Sequence, residues 1–221
     1  MIPTGRGAEG IEVEIPTSEG PTRGNLAIPE GAGGIVLFAH GSGSGRHSPR
    51  NNFVAQILRD AGLATFMMDL LTEGEERVDM RTRQFRFDID LLGERLELTT
   101  DWLGGHEEAG ALETGYFGSS TGAAAAIVAA AGRDDIDAIV SRGGRVDLGG
   151  EALPLFTAPI LMIVGGNDLQ VLQMNRDAME RMTAPAELKI IEGAGHLFEG
   201  PGELEKVAEL AAEWFNKHLG A

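Results

Sequence analysis

Ser120, Asp168 and His196 have the residue types and the order along the chain that nucleophilic catalysis requires. Ser120 is the centre of a G-x-S-x-G pentapeptide, Asp168 closes the run G-G-N-D, and His196 closes the run G-A-G-H. A serine hydroxyl becomes a strong nucleophile when an imidazole accepts its proton, and a carboxylate can orient that imidazole and stabilise its cation. These residues therefore predict acyl transfer through a covalent acyl-enzyme.

The pentapeptide is weak evidence by itself, because 32 of the 221 residues are glycine. Its neighbours strengthen it. The apolar segment Gly115–Phe117 precedes it, and Ala123–Ile127, which has strong helix propensity, follows it. This order predicts a sharp strand-to-helix turn with Ser120 at its tip, where closely approaching backbones require the two flanking glycines. The alternative is that Ser120 only caps the helix.

Other residues could take two of these roles. His47 is the alternative base, whereas His40 directly follows an apolar strand and is expected to brace the loop after it. Asp168 could be an ordinary turn aspartate. Asp147, which follows a different strand, is then the alternative acid.

Backbone N–H groups are expected to bind the negative charge that develops on the substrate oxygen. In a strand-to-helix turn of this kind, the residue after the nucleophile, here Thr121, can supply one donor. The loop after an earlier strand can supply the other, here from Ser42. Candidate substrate-binding residues are His47, Arg81 and Arg142, each in or near a loop that follows a predicted strand. The glycine-rich loop that contains Ser42 lacks the G-K-[ST] ending of a nucleotide-binding P-loop.

The elements that must position these residues alternate between strands and helices. Apolar or alternating runs predict strands near residues 11–15, 25–28, 34–39, 64–69, 115–117, 137–140, 159–164 and 187–191. Helices are predicted near 48–60, 82–103, 169–182 and 202–219 and in the alanine-rich segment 123–127, with a polar connection over 72–79. This alternation predicts an α/β fold: a mainly parallel sheet of about eight strands with an antiparallel N-terminal edge, covered by helices on both faces.

Composition limits the possible functions. A net charge of −16 argues against nucleic-acid or anionic-membrane partners, and the lack of cysteine excludes disulfides and a cysteine nucleophile. The length favours a single domain over residues 1–221 without a large lid insertion. Because Met1–Gly7 shows no targeting pattern and no long apolar run follows, we expect a cytoplasmic protein, either a monomer or a homodimer.

Together these motifs resemble the α/β-hydrolase superfamily, and specifically its small dienelactone-hydrolase-like members. The resemblance rests on the loop H-G-S-G-S from His40, the pentapeptide around Ser120, and the runs that end at Asp168 and His196. Dienelactone hydrolases proper use a cysteine nucleophile where this chain has Ser120. The resemblance therefore implies a serine esterase that cleaves small carboxylic esters or lactones and needs neither metal nor cofactor. An acyltransferase, an amidase or peptidase on the same triad, and a non-catalytic binding protein are the alternatives.

Overall fold

The computed structural model describes residues 10–220, so Met1–Gly7, where we expect no targeting segment, lies outside the described residues. Strands and helices alternate through this range. The strands are β1 (Ile11–Ile15), β2 (Thr22–Ala27), β3 (Gly34–Ala39), β4 (Ala64–Met68), β5 (Glu113–Ser119), β6 (Ala138–Arg142), β7 (Ile160–Gly165) and β8 (Ala186–Ile191). The α-helices are α1 (Pro49–Asp60), α2 (Glu73–Thr82), α3 (Ile89–Gly104), α4 (Thr121–Ala130), α5 (Leu169–Met179) and α6 (Glu203–His218), and a 3-10 helix spans Val146–Ala152.

The strands form one sheet in the order β1-β2-β4-β3-β5-β6-β7-β8. β2 pairs antiparallel with both β1 and β4, whereas the pairs from β4 through β3 to β8 are parallel. The predicted mainly parallel sheet with an antiparallel N-terminal edge is confirmed. From β3 the chain first adds β4 on one side and then β5 on the other, so the loops after β3 and β5 leave the sheet side by side. Ligand sites of open α/β sheets lie at such reversals.

Apolar side chains fill both faces of the sheet. Helices α3 and α4 pack on one face, through residues such as Leu96 and Ala126. Helices α1 and α6 pack on the other face, through residues such as Leu58 and Phe215. A sheet buried on both sides explains why β3 is apolar at every position. No large additional domain is inserted within residues 10–220, and no helix of this range has the length and apolar character to span a bilayer.

The region between β4 and β5 differs from our prediction. We predicted a polar connection followed by a helix from about residue 82, but the polar stretch is itself helix α2. The Thr72 hydroxyl accepts the N–H of Glu75, and the Glu75 carboxylate accepts the N–H of Thr72, a reciprocal cap that starts the helix. Arg83, with φ at 59°, ends it, and Asp88 caps the start of α3. Helix α2 has few apolar residues, so hydrophobic periodicity did not predict it.

Candidate active site

Ser120 lies at the tip of the turn between β5 and α4, with φ at 50° and ψ at −121°. A non-glycine residue rarely adopts this conformation, which is strained and persists only where the surrounding structure enforces it. Its two neighbouring glycines are part of that structure. A Cβ added at Gly118 would lie 2.4 Å from the Ala123 Cα, and one added at Gly122 would lie 2.0 Å from the Ala39 carbonyl oxygen. The close packing of α4 on β5 and β3 therefore holds the Ser120 backbone in its turn.

His196 and Asp168 form a hydrogen-bonded pair at the same edge of the sheet. The His196 Nδ1 lies 2.7 Å from the Asp168 Oδ2, and the two side chains are 39% and 16% exposed. Asp168 precedes α5, but its carboxylate makes no hydrogen bond that caps this helix, so it is available to the imidazole. With Nδ1 donating to a carboxylate, Nε2 of a neutral His196 is the proton acceptor.

Asp147, the alternative acid, pairs instead with Arg145, at 2.9 Å from Nε and 2.8 Å from Nη2. Its carboxylate is therefore engaged by a neighbouring guanidinium two residues away. Of the two candidate acids, the structure places Asp168 against His196.

The end of β6 contacts both the turn that carries Ser120 and the imidazole of His196. The Ser120 N–H donates to the Arg142 carbonyl at 3.3 Å. The next residue, Gly143, lies against the imidazole: a Cβ added there would be 3.5 Å from both Nδ1 and Cε1 of His196. Ser120, Asp168 and His196 thus follow the carboxyl ends of β5, β7 and β8, and the end of β6 lies against both Ser120 and His196.

The loop after β3 approaches the serine from the other side. A Cβ added at Gly41 would be 3.1 Å from the Ser120 Cβ, which places the adjacent Ser42 near the reacting position. Thr121 is the first residue of α4, and the first N–H groups of a helix lack partners within the helix. The two N–H groups predicted to bind the oxyanion, those of Ser42 and Thr121, therefore lie on segments that meet at Ser120.

His40 braces this loop, as its position in the sequence indicated. Its Nδ1 lies 3.0 Å from the Gly41 carbonyl, and its Nε2 accepts the Leu70 N–H at 3.1 Å. These contacts define a neutral imidazole that is protonated on Nδ1. Burial lowers the pKa of His40, since a charged ring would lose solvation and could no longer accept from Leu70.

A cavity of about 270 Å³ opens beside this loop. Gly41 and Ser42 form one wall, and the apolar side chains of Leu71, Met80 and Leu92 form another. Such a volume suits a small substrate group.

Arg86 also lines this cavity. It belongs to the basic cluster of Arg77, Arg81, Arg83 and Arg86, from which the sequence led us to choose Arg81 as the candidate. Asp79 positions Arg86, accepting from Nε at 2.6 Å and from the Arg86 backbone N–H at 3.0 Å. Arg81, our candidate from this region, is exposed on α2 and is not among the residues that line the cavity. The difference arises because the turn at Arg83, which the sequence did not predict, directs residue 86 back toward the loop.

The other two predicted substrate-binding residues, His47 and Arg142, are not among the residues that line this cavity. His47 is exposed and lines a second cavity of about 490 Å³, together with Arg46 and Pro21. Arg142 ends β6, next to Ser119 of β5.

Within residues 10–220, no group of three or more histidine, aspartate or glutamate side chains is arranged to hold a metal ion.

A sequence profile of the dienelactone hydrolase family matches residues 23–219 of this chain. The chain belongs to the dienelactone hydrolase family. This membership confirms the predicted superfamily and places the protein among hydrolases. The family's solved members support the fold as well, since a dienelactone hydrolase from Anabaena variabilis superposes with a TM-score of 0.93 at 55% sequence identity, covering 95% of this chain and 98% of that one.

More distant structures share the fold alone. Est1E from Butyrivibrio proteoclasticus has a TM-score of 0.76 at 16% identity and covers 94% of this chain and 98% of its own. Among curated relatives, a protein of Mycobacterium tuberculosis named a putative phosphoribosyl transferase is 50% identical over 209 residues, which are 94% of this chain and 46% of that protein. This family member thus spans about half the length of the curated relatives it matches.

Proposed function

We propose that this protein is a serine hydrolase that cleaves small carboxylic esters or lactones through an acyl-enzyme on Ser120. The observation that carries the proposal is the His196–Asp168 pair, at 2.7 Å, at the same edge of the sheet as a serine held at positive φ. Membership of a hydrolase family supports the same reaction class. The cavity of about 270 Å³ next to Ser42 supports a short acyl or alcohol group.

In the first half-reaction, the Ser120 hydroxyl attacks the carbonyl carbon of the ester while His196 Nε2 takes its proton. The N–H groups of Ser42 and Thr121 stabilise the negative charge on the carbonyl oxygen of the tetrahedral intermediate. His196 then returns the proton to the departing alkoxide, which leaves an acyl-Ser120 ester. In the second half-reaction, a water molecule gives a proton to His196 Nε2 as its oxygen attacks the acyl carbon. His196 then donates that proton to the Ser120 Oγ as the bond between the acyl carbon and Oγ breaks, which releases the carboxylic acid and regenerates Ser120 and neutral His196.

The relatives named as putative phosphoribosyl transferases do not change this proposal. This chain corresponds to 46% of their length, so the name of the whole protein describes a longer molecule. The proposed chemistry rests on side chains that the present chain contains.

The decisive experiment compares Ser120→Ala with Ser119→Ala on p-nitrophenyl acetate. Ser120→Ala removes the nucleophile and should lower kcat/KM by a factor on the order of 10⁴ or more. The Ser119 hydroxyl is buried and is engaged by Asn51 of α1, to which it donates at 3.1 Å, so Ser119→Ala should keep most of the activity. Full activity in Ser120→Ala would refute the nucleophile assignment.

A further inference from the structure

Strand β8 forms an uncovered edge of the sheet. It is last in the strand order and pairs only with β7 within residues 10–220. Helix α5 packs against β7 and β8 on one face, whereas α6, on the other face, packs over β6 and β7. The side chains of Glu187 and Lys189 are therefore 47% and 50% exposed, and Ile190 is 42% exposed. An edge of this kind presents free backbone groups to another strand.

The backbone groups that point outward from β8 follow from its pairing with β7. The Pro185 and Ile191 carbonyls accept the N–H groups of Ile160 and Gly166, at 2.9 Å and 2.8 Å. In a parallel pair every second residue of a strand bonds to the same neighbour, so the odd-numbered residues of β8 bond to β7. The even-numbered residues point their N–H and C=O groups away from the sheet; these are Ala186, Leu188 and Ile190.

The side chains of β8 are self-complementary in one antiparallel register. When two copies pair about a two-fold axis at Leu188, each Glu187 lies opposite Lys189 of the other copy, on the face that carries α6. Leu188 then forms a hydrogen-bonded pair with its own copy, and the Glu–Lys pairs take the positions where opposing side chains come closest.

Other registers that pair most of the strand fail. A two-fold axis at Glu187 or at Lys189 would place a residue opposite its own copy and so oppose like charges. An axis between residues 188 and 189 would oppose an outward-facing residue to one that already bonds to β7. The register centred on Leu188 therefore satisfies both the backbone and the charges.

A groove of about 200 Å³ lies between β8 and α6 on the face of the Glu–Lys pairs. It is lined by three apolar side chains and four charged ones, namely Leu161, Leu210, Trp214, Glu187, Glu213, Lys189 and Lys217. The four charges sum to zero, and two of the three lysines of the chain lie here, although the whole chain has a net charge of −16. Two such acidic molecules repel each other least where the local charge is balanced.

The opposite edge of the sheet lacks this complementarity. It is formed by β1, whose charged side chains are Glu12 and Glu14. Two copies of β1 paired about Val13 would oppose Glu12 to Glu14 twice. Because like charges directly opposite each other are destabilising, the glutamates protect this edge from self-pairing. The contrast favours β8 as the edge at which two copies associate.

We propose that β8 is the interface of a homodimer, in which the two β8 strands pair antiparallel about Leu188 and join the two sheets into one. This inference goes beyond the proposed hydrolase activity and does not depend on it. Because the strands of the two copies run in opposite directions, the turns that carry Ser120 lie at opposite edges of the joined sheet. Each copy then keeps its own site.

Charge reversal tests the interface, with sedimentation equilibrium as the measurement. The wild type should have twice the mass of one chain in the micromolar range. Glu187→Lys and Lys189→Glu each oppose like charges at both cross-strand pairs, so each should raise the dissociation constant about tenfold or more. The double variant Glu187→Lys/Lys189→Glu restores opposite charges and should dimerise as the wild type does. A mixture of the two single variants should form heterodimers for the same reason.

Glu107→Lys is the control for these variants. It makes the same change of charge on an exposed residue that lies beside Ile11 of β1, at the opposite edge of the sheet. Its dissociation constant should equal that of the wild type.

A single introduced thiol reports the register, since the chain has no cysteine. In the proposed dimer the two Cα atoms at position 188 are about 5.5 Å apart, a distance that a disulfide spans. Mild oxidation should therefore link Leu188→Cys into covalent dimers. Ile190→Cys, which would face Ala186 of the other copy, should stay unlinked.

A wild type that is monomeric throughout the micromolar range would overturn the proposal. So would a dimer that neither single charge reversal weakens, because another surface would then hold the two copies together. Faster linking of Ile190→Cys than of Leu188→Cys would overturn the register.

Discussion

Ser120 is held in a backbone conformation that suits glycine better than serine. Its φ of 50° costs on the order of 1–3 kcal/mol of stability. The close packing around Gly118 and Gly122 holds the residue in this conformation. A strained residue retained at a proposed nucleophile indicates that the position serves chemistry at the expense of stability.

Ser120→Gly should therefore raise the free energy of unfolding by about 1 kcal/mol, because relief of strain exceeds the added flexibility of the unfolded chain. Urea denaturation provides the measurement. Ser120→Ala is the matched control, since it also lacks the hydroxyl but keeps the Cβ and the strain. If the glycine variant were no more stable than the alanine variant, the backbone at this position would not be strained.

His40 links stability to pH. Its folded-state pKa lies below 6.5, so the unfolded chain takes up a proton first as the pH falls. Its contribution to stability is complete above about pH 6.5 and is lost on acidification until the folded state also protonates, with a slope of at most about 1.4 kcal/mol per pH unit.

We expect His40→Asn to show a shallower decline in the free energy of unfolding between pH 7 and pH 5 than the wild type. The comparison cancels the contribution of His218, whose pKa burial also lowers. Parallel curves for the two proteins would show that His40 is not the group that titrates.

At the scale of elements, the turn between β5 and α4 depends on a contact between backbones. Gly122→Ala would place its Cβ 2.0 Å from the Ala39 carbonyl oxygen, which belongs to β3 and has little freedom to move. We expect a loss of about 3 kcal/mol in the free energy of unfolding, accompanied by a loss of the proposed esterase activity as the Ser42 loop shifts.

Gly104→Ala is the control for this prediction. Gly104 ends α3, and a Cβ there would meet no atom within 4 Å, so the substitution should not destabilise the protein. Equal effects of the two substitutions would show that the contact with Ala39 is not what requires a glycine at position 122.

The sequence predicted an element well where a run of apolar residues alone marked it. β3 matched at both ends, because a continuous apolar run lies between two glycines and His40. Helix α2 was missed because its start depends on the reciprocal cap of Thr72 and Glu75 and not on an apolar stripe.

The same contrast holds in the candidate site. Glycine-flanked residues at strand ends, such as Ser120 and His196, could be read from the sequence, and the structure brings the predicted Asp168 to the imidazole. That Arg86, and not Arg81, lines the cavity could not be predicted from the sequence, since it depends on how α2 packs against the loop after β3.

At the scale of the whole molecule, one sheet connects both apolar cores. Residues on opposite faces of the same strands, such as Leu37 and Phe38 of β3, belong to different cores, so neither core can unfold without the other. That residues 1–221 form a single domain stays a prediction. Scanning calorimetry should show one transition with equal calorimetric and van't Hoff enthalpies. Two separable transitions would contradict it.

The exposure of His196 bears on the fate of the proposed acyl-enzyme. Its side chain is 39% exposed, and no large domain inserted within residues 10–220 covers it. Enzymes that pass an acyl group to an alcohol or amine must keep water from the ester until the acceptor arrives, and they commonly close a lid to do so. At this edge of the sheet, the partly exposed imidazole is accessible to bulk water. An alcohol or amine acceptor would then have to bind next to the acyl group to react with it before water does. We therefore expect the acyl group to be released mainly as the free carboxylic acid.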